Sequence, residues 1–234
     1  TRCEAGRREQ KGCVIMFSRK SGDSWSEPEN IGVLPDTLVA AHPALTSDGL
    51  TLYFVSDMSG GYGVKDLWKV TRTDAGSNNW SQPVNAGPDI NTSSDELFPF
   101  VRNDGTLYFS SDGLIGMGGL DIFKATAQPD GSWAVLNMKV PINSSADDFG
   151  ITFENENERG LLTSTRKGRG NDELYTFEFP PLKFNVTGLV KDEKTGTAIS
   201  GSVVQLIASD GSNLQAETGN GGDFRFALKP DVDY

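Results

Sequence analysis

Thr51-Leu-Tyr-Phe-Val-Ser-Asp57 is the stretch that decides the fold, because it recurs as Thr106-Leu-Tyr-Phe-Ser-Ser-Asp112. Alternating aromatic and β-branched residues of this kind are typical of half-buried β-strands. A second motif follows each copy: Asp66-Leu-Trp68 recurs as Asp121-Ile-Phe123 and, in weaker form, as Asp172-Glu-Leu-Tyr175. The sequence therefore predicts a series of similar β-structured repeats.

A tryptophan motif gives the period of these repeats. Its copies are Trp25-Ser-Glu-Pro-Glu-Asn30, Trp80-Ser-Gln-Pro-Val-Asn85 and the degraded Trp133-Ala-Val-Leu-Asn137, with the tryptophans 55 and then 53 residues apart. A period of about 50 residues with several short strands per repeat indicates a β-propeller in which each repeat is one blade. We predict an all-β chain with about three visible blades of an incomplete ring.

Turn residues separate the strands within each repeat. Ser47-Asp48-Gly49 and Asn103-Asp104-Gly105 predict tight turns, because Asn and Gly tolerate positive φ angles. In the third repeat residues 155–158 replace this turn, and residues 161–166 replace the aromatic strand. Residues 13–19 fit the last strand of a preceding blade. Known propellers use about four to eight blades, so we expect blades beyond this chain.

Pro180-Pro181 predicts a domain boundary, with a partial propeller over residues 1–180 and a second module over residues 181–234. The second module alternates short apolar runs with turns at residues 194–196 and 210–211. This pattern predicts a small antiparallel β-sandwich, and we expect one or two strands beyond Tyr234.

Composition argues against two classes of partner. The 234 residues carry a net charge of −11, which repels nucleic-acid phosphates and anionic lipids. No apolar run approaches the ~20 residues of a membrane-spanning helix, so we expect no nucleic-acid binding and no membrane insertion by this segment. The two cysteines, Cys3 and Cys13, allow a short-range disulfide in an oxidising compartment, although free thiols are the simpler interpretation.

The repeats resemble the PD40, or WD40-like, propeller repeats of bacterial envelope proteins. The resemblance covers residues 13–179 and rests on Pro43, the turn at Asp48-Gly49, the aromatic strand, the loop at Gly60-Gly61 and the Asp66-Leu-Trp68 motif. The segment from Leu182 resembles the regulatory-type β-sandwich first known from carboxypeptidases. That order of modules is similar to OmpA-family proteins of Bacteroidota, of the PorE-like type in the type IX secretion system.

This resemblance implies a periplasmic protein associated with the outer membrane. Its partners would be other envelope or secretion-machinery proteins. Peptidoglycan would be bound only through an OmpA-like domain that is absent from this chain. The carboxypeptidase-type sandwich has no catalytic residues of its own.

His42 is the only histidine, which excludes a multi-histidine metal site. It occupies the repeat position of Phe98 and Phe149, so a packing role is favoured over catalysis. Local sequence shows no nucleophile elbow, phosphate-binding loop or Asp-rich calcium loop. We therefore expect no catalytic residues, no bound metal and no cofactor.

Recurring aspartates are the other candidates for chemistry. Asp57 and Asp112 share one repeat position, with Arg166 in the third repeat, and Asp66, Asp121 and Asp172 share another. One Asp per repeat at a fixed position favours capping of a turn over a cation-binding ring. Asp95-Glu96 and Asp147-Asp148 precede equivalent strands, which also favours a structural role. Asn91-Thr-Ser93 and Asn143-Ser-Ser145 are equivalent as well, and a connecting turn explains them better than glycosylation does.

The glycine-rich loops are the candidate interaction face, because binding residues concentrate on loops. The residues predicted to dock a partner are Gly60, Gly61, Tyr62, Gly63, Gly116, Met117, Gly118, Gly119 and Arg169. The sequence thus favours a non-enzymatic docking scaffold of the cell envelope. Two alternatives remain open: a propeller hydrolase or lyase acting on polysaccharide, and a surface receptor for a sugar or peptide.

Overall fold

The computed structural model of the chain describes residues 1–3, 12–155, 157–180, 183–230 and 232–234. The described residues form strands and turns and contain no helix, so none is long and apolar enough to cross a membrane. The fold is all-β, as predicted. Contacts divide it into two compact units, Thr1–Phe179 and Pro180–Tyr234. Pro181 and Leu182, at the predicted boundary, lie outside the described residues, as does Glu156 in the third predicted turn.

The described residues of the first unit form seventeen strands, of which the first six have two residues each. They are β1 (Arg2–Cys3), β2 (Cys13–Val14), β3 (Met16–Phe17), β4 (Lys20–Ser21), β5 (Ser24–Trp25), β6 (Glu29–Asn30), β7 (Ala41–Leu45), β8 (Thr51–Ser56), β9 (Asp66–Thr71), β10 (Val84–Asn85), β11 (Glu96–Val101), β12 (Leu107–Ser111), β13 (Asp121–Ala127), β14 (Trp133–Asn137), β15 (Asp148–Phe153), β16 (Arg159–Ser164) and β17 (Glu173–Glu178).

Three larger antiparallel sheets follow one another along this unit. Strands β7 to β10 form one four-stranded sheet in sequence order, β11 to β14 form a second, and β15 to β17 form a three-stranded sheet. Before them, β3 pairs with β6, β4 with β5, and β1 with β2. The predicted Asp-Gly turns connect the first and second strands of the two four-stranded sheets: Gly49 and Gly105 have φ angles of +70° and +83°.

The central strands are buried on both faces, in contrast to the half-buried strands that alternation predicts. Leu52 and Phe54 of β8 pack into one apolar cluster with Ile15 and Trp68. Tyr53, on the opposite face of the same strand, packs with residues of β12 and β13. Each of the two four-stranded sheets therefore contacts apolar residues of both adjoining segments, and its second strand needs apolar residues at consecutive positions.

Main-chain hydrogen bonds also join successive sheets. Glu96 N–H, at the start of β11, donates to Lys65 O at 2.7 Å, and Asp148 N–H, at the start of β15, donates to Leu120 O at 2.7 Å. The two bonds are repeat-equivalent. The loop before the third strand of one sheet therefore positions the first strand of the next.

Each first strand contains a bulge at an equivalent residue. His42 and Phe98 have φ angles of +46° and +52°, and Gly150 has +64° at the same register position. Glycine is the residue that adopts such angles without steric cost. The predicted equivalence of His42 with Phe98 is confirmed, but that with Phe149 is wrong by one residue, because Phe149 precedes the bulge of its strand.

The second unit contains β18 (Phe184–Leu189), β19 (Val203–Ile207), β20 (Asn213–Glu217) and β21 (Asp223–Leu228). β18 pairs with β21, and β19 pairs with β20, both antiparallel. Gly196 and Gly211, in the two predicted turns, have φ angles of +71° and +82°. Phe226 and Ala208 are its buried apolar residues.

Cys3 and Cys13 form a disulfide in the structure. The two residues are directly opposite each other in the pairing of β1 with β2. The simpler interpretation of the sequence, free thiols, is therefore wrong, and the bond attaches β1 to β2.

Candidate functional site

Each predicted docking loop is closed by a carboxylate of the strand that follows it. Asp66 accepts hydrogen bonds from the main-chain N–H groups of Tyr62 (2.5 Å) and Gly63 (2.9 Å). Asp121 accepts the equivalent bonds from Met117 (2.6 Å) and Gly118 (3.0 Å). The turn-capping role predicted for these aspartates is confirmed.

The third loop uses Glu173 for the same purpose. Its Oε1 accepts hydrogen bonds from the main-chain N–H groups of Arg169 and, at 2.7 Å, Gly170. The predicted equivalence of Asp172 with Asp66 and Asp121 is therefore wrong by one residue. The longer side chain of glutamate reaches the same kind of loop from the first position of β17.

The glycines of these loops are required by close packing. A Cβ atom on Gly61 would lie 2.4 Å from Asp66 Oδ2, and one on Gly116 would lie 2.0 Å from Asp121 Oδ2. A Cβ atom on Gly118 would lie 2.1 Å from Ala146 O, in the next repeat. Gly60 instead adopts a φ angle of +93°. These glycines thus fit the loop around its carboxylate and against the following repeat.

Apolar side chains project from the loops into solvent. Tyr62 is 52% exposed and Met117 is 45% exposed, and both were candidates from sequence. Ile115 is 96% exposed and Val64 is 62% exposed, and sequence reasoning missed them. Their signal was present, since both are aliphatic residues in glycine-rich loops. Arg169 of the third loop is exposed, as are its neighbours over residues 167–172.

The other set of recurring aspartates also binds main-chain groups. Asp57 Oδ1 accepts a hydrogen bond from Val39 N–H at 3.1 Å, and Asp112 Oδ1 accepts one from Asp95 N–H at 2.9 Å. In the third repeat Thr165 Oγ1 accepts the bond from Asp147 N–H at 3.0 Å. Thr165, and not the predicted Arg166, is therefore the equivalent residue.

Arg166 instead neutralises a buried carboxylate. Its Nη2 lies 2.6 Å from Oδ1 of Asp148, whose side chain is fully buried. The same guanidinium donates to Pro141 O and lies over the ring of Tyr175. A buried carboxylate with this number of partners is held rigidly.

Glu96 occupies the position of Asp148 in the preceding repeat and is fully buried. Its carboxylate accepts hydrogen bonds from Thr92 N–H (2.9 Å), Thr92 Oγ1 (2.6 Å) and Ser111 Oγ (2.8 Å). Burial raises the pKa of Glu96 above its ordinary value, against the effect of these hydrogen bonds. The charge of Asp66 raises the pKa further.

A shallow groove of about 420 Å³ runs across the first strands of the three sheets. His42 stacks on Phe98 with ring centroids 4.1 Å apart, and Phe98 stacks on Phe149 at 4.9 Å. Phe98 N–H donates to His42 Nδ1 at 3.3 Å. Burial, and secondarily the charge of Lys65, lowers the pKa of His42. The lowered pKa favours the neutral imidazole, and the ring packs against Phe98 as predicted.

Within the described ranges, no group of three or more His, Cys, Asp or Glu side chains is placed to hold a metal ion. No protein-family model matches this chain, and no curated protein matches its sequence.

Proposed function

We propose that this chain is a non-enzymatic docking scaffold of the bacterial cell envelope, within an outer-membrane assembly of the type IX secretion kind. In this proposal the three sheets of the first unit are blades of a β-propeller, and the second unit is a carboxypeptidase-regulatory-like sandwich. Two features support the propeller assignment: the three sheets follow one another along the chain, and equivalent main-chain hydrogen bonds join each sheet to the next. The sequence resemblance supports the envelope location.

The observation that carries the docking role is the exposure of Ile115 and Tyr62 on loops that are held rigid. Exposed apolar residues at fixed positions lose little conformational entropy when they bind a partner, so they bind more tightly than equivalent residues on flexible loops. Asp66 and Asp121 provide that rigidity through two main-chain hydrogen bonds each. Partner contacts would therefore concentrate at Tyr62, Val64, Ile115 and Met117.

Site-specific photo-crosslinking in cells of the source organism tests this proposal. A photoreactive amino acid would replace Ile115 in the full-length natural protein, and crosslinked partners would be identified by mass spectrometry. Leu136 of β14 is the matched control, because it is 65% exposed but lies on the fourth strand of the sheet. Recovery of outer-membrane or secretion-machinery proteins at position 115 and not at 136 is the expected result. Equal labelling at the two positions would overturn it.

The groove at His42 and Phe98 favours a second candidate function, a receptor for a sugar or peptide. Its stacked rings offer an apolar surface of the kind that small ligands contact. Binding of glycans or peptides that is lost in Phe98→Ala, and unaffected by replacing Ile115, would favour this receptor over the scaffold.

A further inference from the structure

A second cavity of the first unit lies apart from the loops, shares Pro43 and Leu45 with the His42 groove, and contains two arginines. It measures about 360 Å³ and lies between the segment β3 to β6 and the sheet β7 to β10. Its apolar lining includes Ile15, Phe17, Leu45 and Trp80. Arg19 and Arg72 also line it. The cavity therefore combines an apolar surface with two permanent positive charges.

The two guanidinium groups lie beside the same turn. Arg19 Nη2 donates to Gly76 O at 2.8 Å, and Arg72 Nη1 donates to Ser77 O at 2.5 Å. Gly76 and Ser77 are consecutive residues, so the two charges are neighbours. Arg72 also lies over the Trp80 ring, with its Cζ 4.4 Å from the ring centroid, and Arg19 lies over Phe17 at 5.3 Å. These contacts hold both groups in the lining of the cavity.

Neither arginine has a carboxylate partner among the described residues. The ion pairs formed there by arginine involve Arg102, Arg159 and Arg166. Asp74, in the same turn, uses its Oδ1 to accept a hydrogen bond from Gly76 N–H. Two adjacent guanidinium groups without a counter-charge, in a chain of net charge −11, form a local site for an anion.

The repeats show that the fold itself does not need these arginines. Arg19 N–H donates to Ser26 Oγ at 3.0 Å, and Thr71 N–H donates to Ser81 Oγ at 3.0 Å, which makes Arg19 and Thr71 equivalent. The pairing of β13 with β14 places Thr126 at the same position and Ala127 at that of Arg72. Both four-stranded sheets thus form with an uncharged residue at the position of Arg19, and one of them also lacks the equivalent of Arg72.

We infer that this cavity binds an acidic segment of a partner protein, with an apolar side chain in the cavity and a neighbouring carboxylate on Arg19 and Arg72. The inference rests on the proposed docking function in one respect, since it takes a protein as the ligand. The surface is different, because the cavity does not include the glycine-rich loops. Charge complementarity selects the carboxylate, and the lining by Phe17, Leu45 and Trp80 selects the apolar neighbour.

Selection of random short peptides on phage by the purified chain tests this inference. The expected outcome is enrichment of peptides that carry Asp or Glu beside an aromatic or aliphatic residue. Their affinity, measured by fluorescence polarisation, should fall at least tenfold in Arg19→Glu and should weaken with added salt. Lys20→Glu is the matched control, because it makes the same change in net charge at the next, exposed residue. It should alter affinity less than threefold.

Arg19→Gln provides a second variant that removes the charge and retains a donor for Gly76 O. Circular dichroism of each variant establishes that the fold is kept. Equal losses in Arg19→Glu and Lys20→Glu, or enrichment of peptides without acidic residues, would overturn the inference. Because this assay does not involve Ile115, its failure leaves the loop-docking proposal standing, and failure of the crosslinking test leaves this site standing.

Discussion

Arg166 Nη2 lies 2.6 Å from Oδ1 of Asp148 in the third repeat. The residue equivalent to Asp148 in the second repeat is Glu96, which binds hydroxyl and main-chain donors. Both carboxylates are fully buried. Each carboxylate accepts hydrogen bonds from the main-chain N–H and the hydroxyl of the residue four positions earlier, Thr92 or Ser144. The two repeats differ in the remaining partner, which is the neutral hydroxyl of Ser111 for Glu96 and the guanidinium of Arg166 for Asp148. This difference gives a matched pair of variants within one protein.

Asp148→Asn should destabilise the first unit strongly. The substitution leaves the guanidinium of Arg166 beside an uncharged amide, and breaking a buried ion pair costs about 3–5 kcal/mol when one charge stays buried. Because the Arg166 side chain is 26% exposed, we expect a loss at the lower end of this range. Urea denaturation gives the free energy of unfolding. Glu96→Gln, the matched control, should change it by less than about 1 kcal/mol.

Glu96 should make stability depend on pH in the direction opposite to most carboxylates. Burial raises its pKa in the folded state above the unfolded value, so the folded state binds its proton more tightly. Its contribution is therefore greatest at low pH, and it is lost as pH rises from the unfolded pKa through the folded pKa. The free energy of unfolding of Glu96→Gln, relative to the natural chain, should rise as pH increases above about 4, the ordinary pKa of glutamate, and level off once pH exceeds the raised pKa of the folded state. A difference that is constant with pH would contradict this expectation.

Gly116→Ala should destabilise the second loop. A Cβ atom at Gly116 would lie 2.0 Å from Asp121 Oδ2, so the carboxylate must move away from the N–H groups that it binds. Overpacking of this kind costs about 1–3 kcal/mol. Gly170→Ala is the control, because its Cβ would lie 3.9 Å from Glu173 Oε1, an ordinary contact. Thermal unfolding of the two variants should differ accordingly, and equal midpoints would count against the close-packing account.

Asn143→Leu should remove a side-chain amide that hydrogen-bonds to both main-chain groups of Ile122 in β13. The Asn143 amide accepts from Ile122 N–H and donates to Ile122 O, both at 2.8 Å. Leucine would leave the N–H group of Ile122 without this acceptor, at a cost of about 1–3 kcal/mol, whereas Ile122 O keeps its hydrogen bond from Met138 N–H. Asn91→Leu should have a similar effect, because Asn91 binds Leu67 in the same way. Chemical denaturation measures the free energy of unfolding of both variants. A loss of stability in only one of them would contradict the equivalence of Asn143 and Asn91.

Local patterns in the sequence predicted much of the fold. The strand predicted at residues 96–101 is β11, and the turns at residues 47–49 and 103–105 lie where expected. The capping roles of Asp66 and Asp121 followed from their recurrence at one position of each repeat. These features depend on residues that are close in the chain, and such features leave a readable signature.

Contacts between distant residues were not predictable in this way. Arg166 was expected to replace Asp57 and Asp112, whereas it pairs with Asp148, eighteen residues earlier. Matching by residue type makes Asp172 the equivalent of Asp66 and Asp121. It does not take into account that the longer side chain of Glu173 reaches the loop from the next position. The pairing of Cys3 with Cys13 and the cavity between Arg19 and Arg72 depend on how strands pack, which periodicity does not report.

The hydrogen bonds from Glu96 to Lys65 and from Asp148 to Leu120 also bear on how such a chain evolves. In each case the donor is the first residue of a sheet and the acceptor is a loop residue of the sheet before it. The sheet β11 to β14 thus presents a donor at one side and an acceptor at the other, so a duplicate of the gene segment that encodes it would give a module with both halves of the connection. Gain or loss of whole repeats would then require no new interface, and selection would be free to change individual residues, such as Arg19, that no other repeat shares.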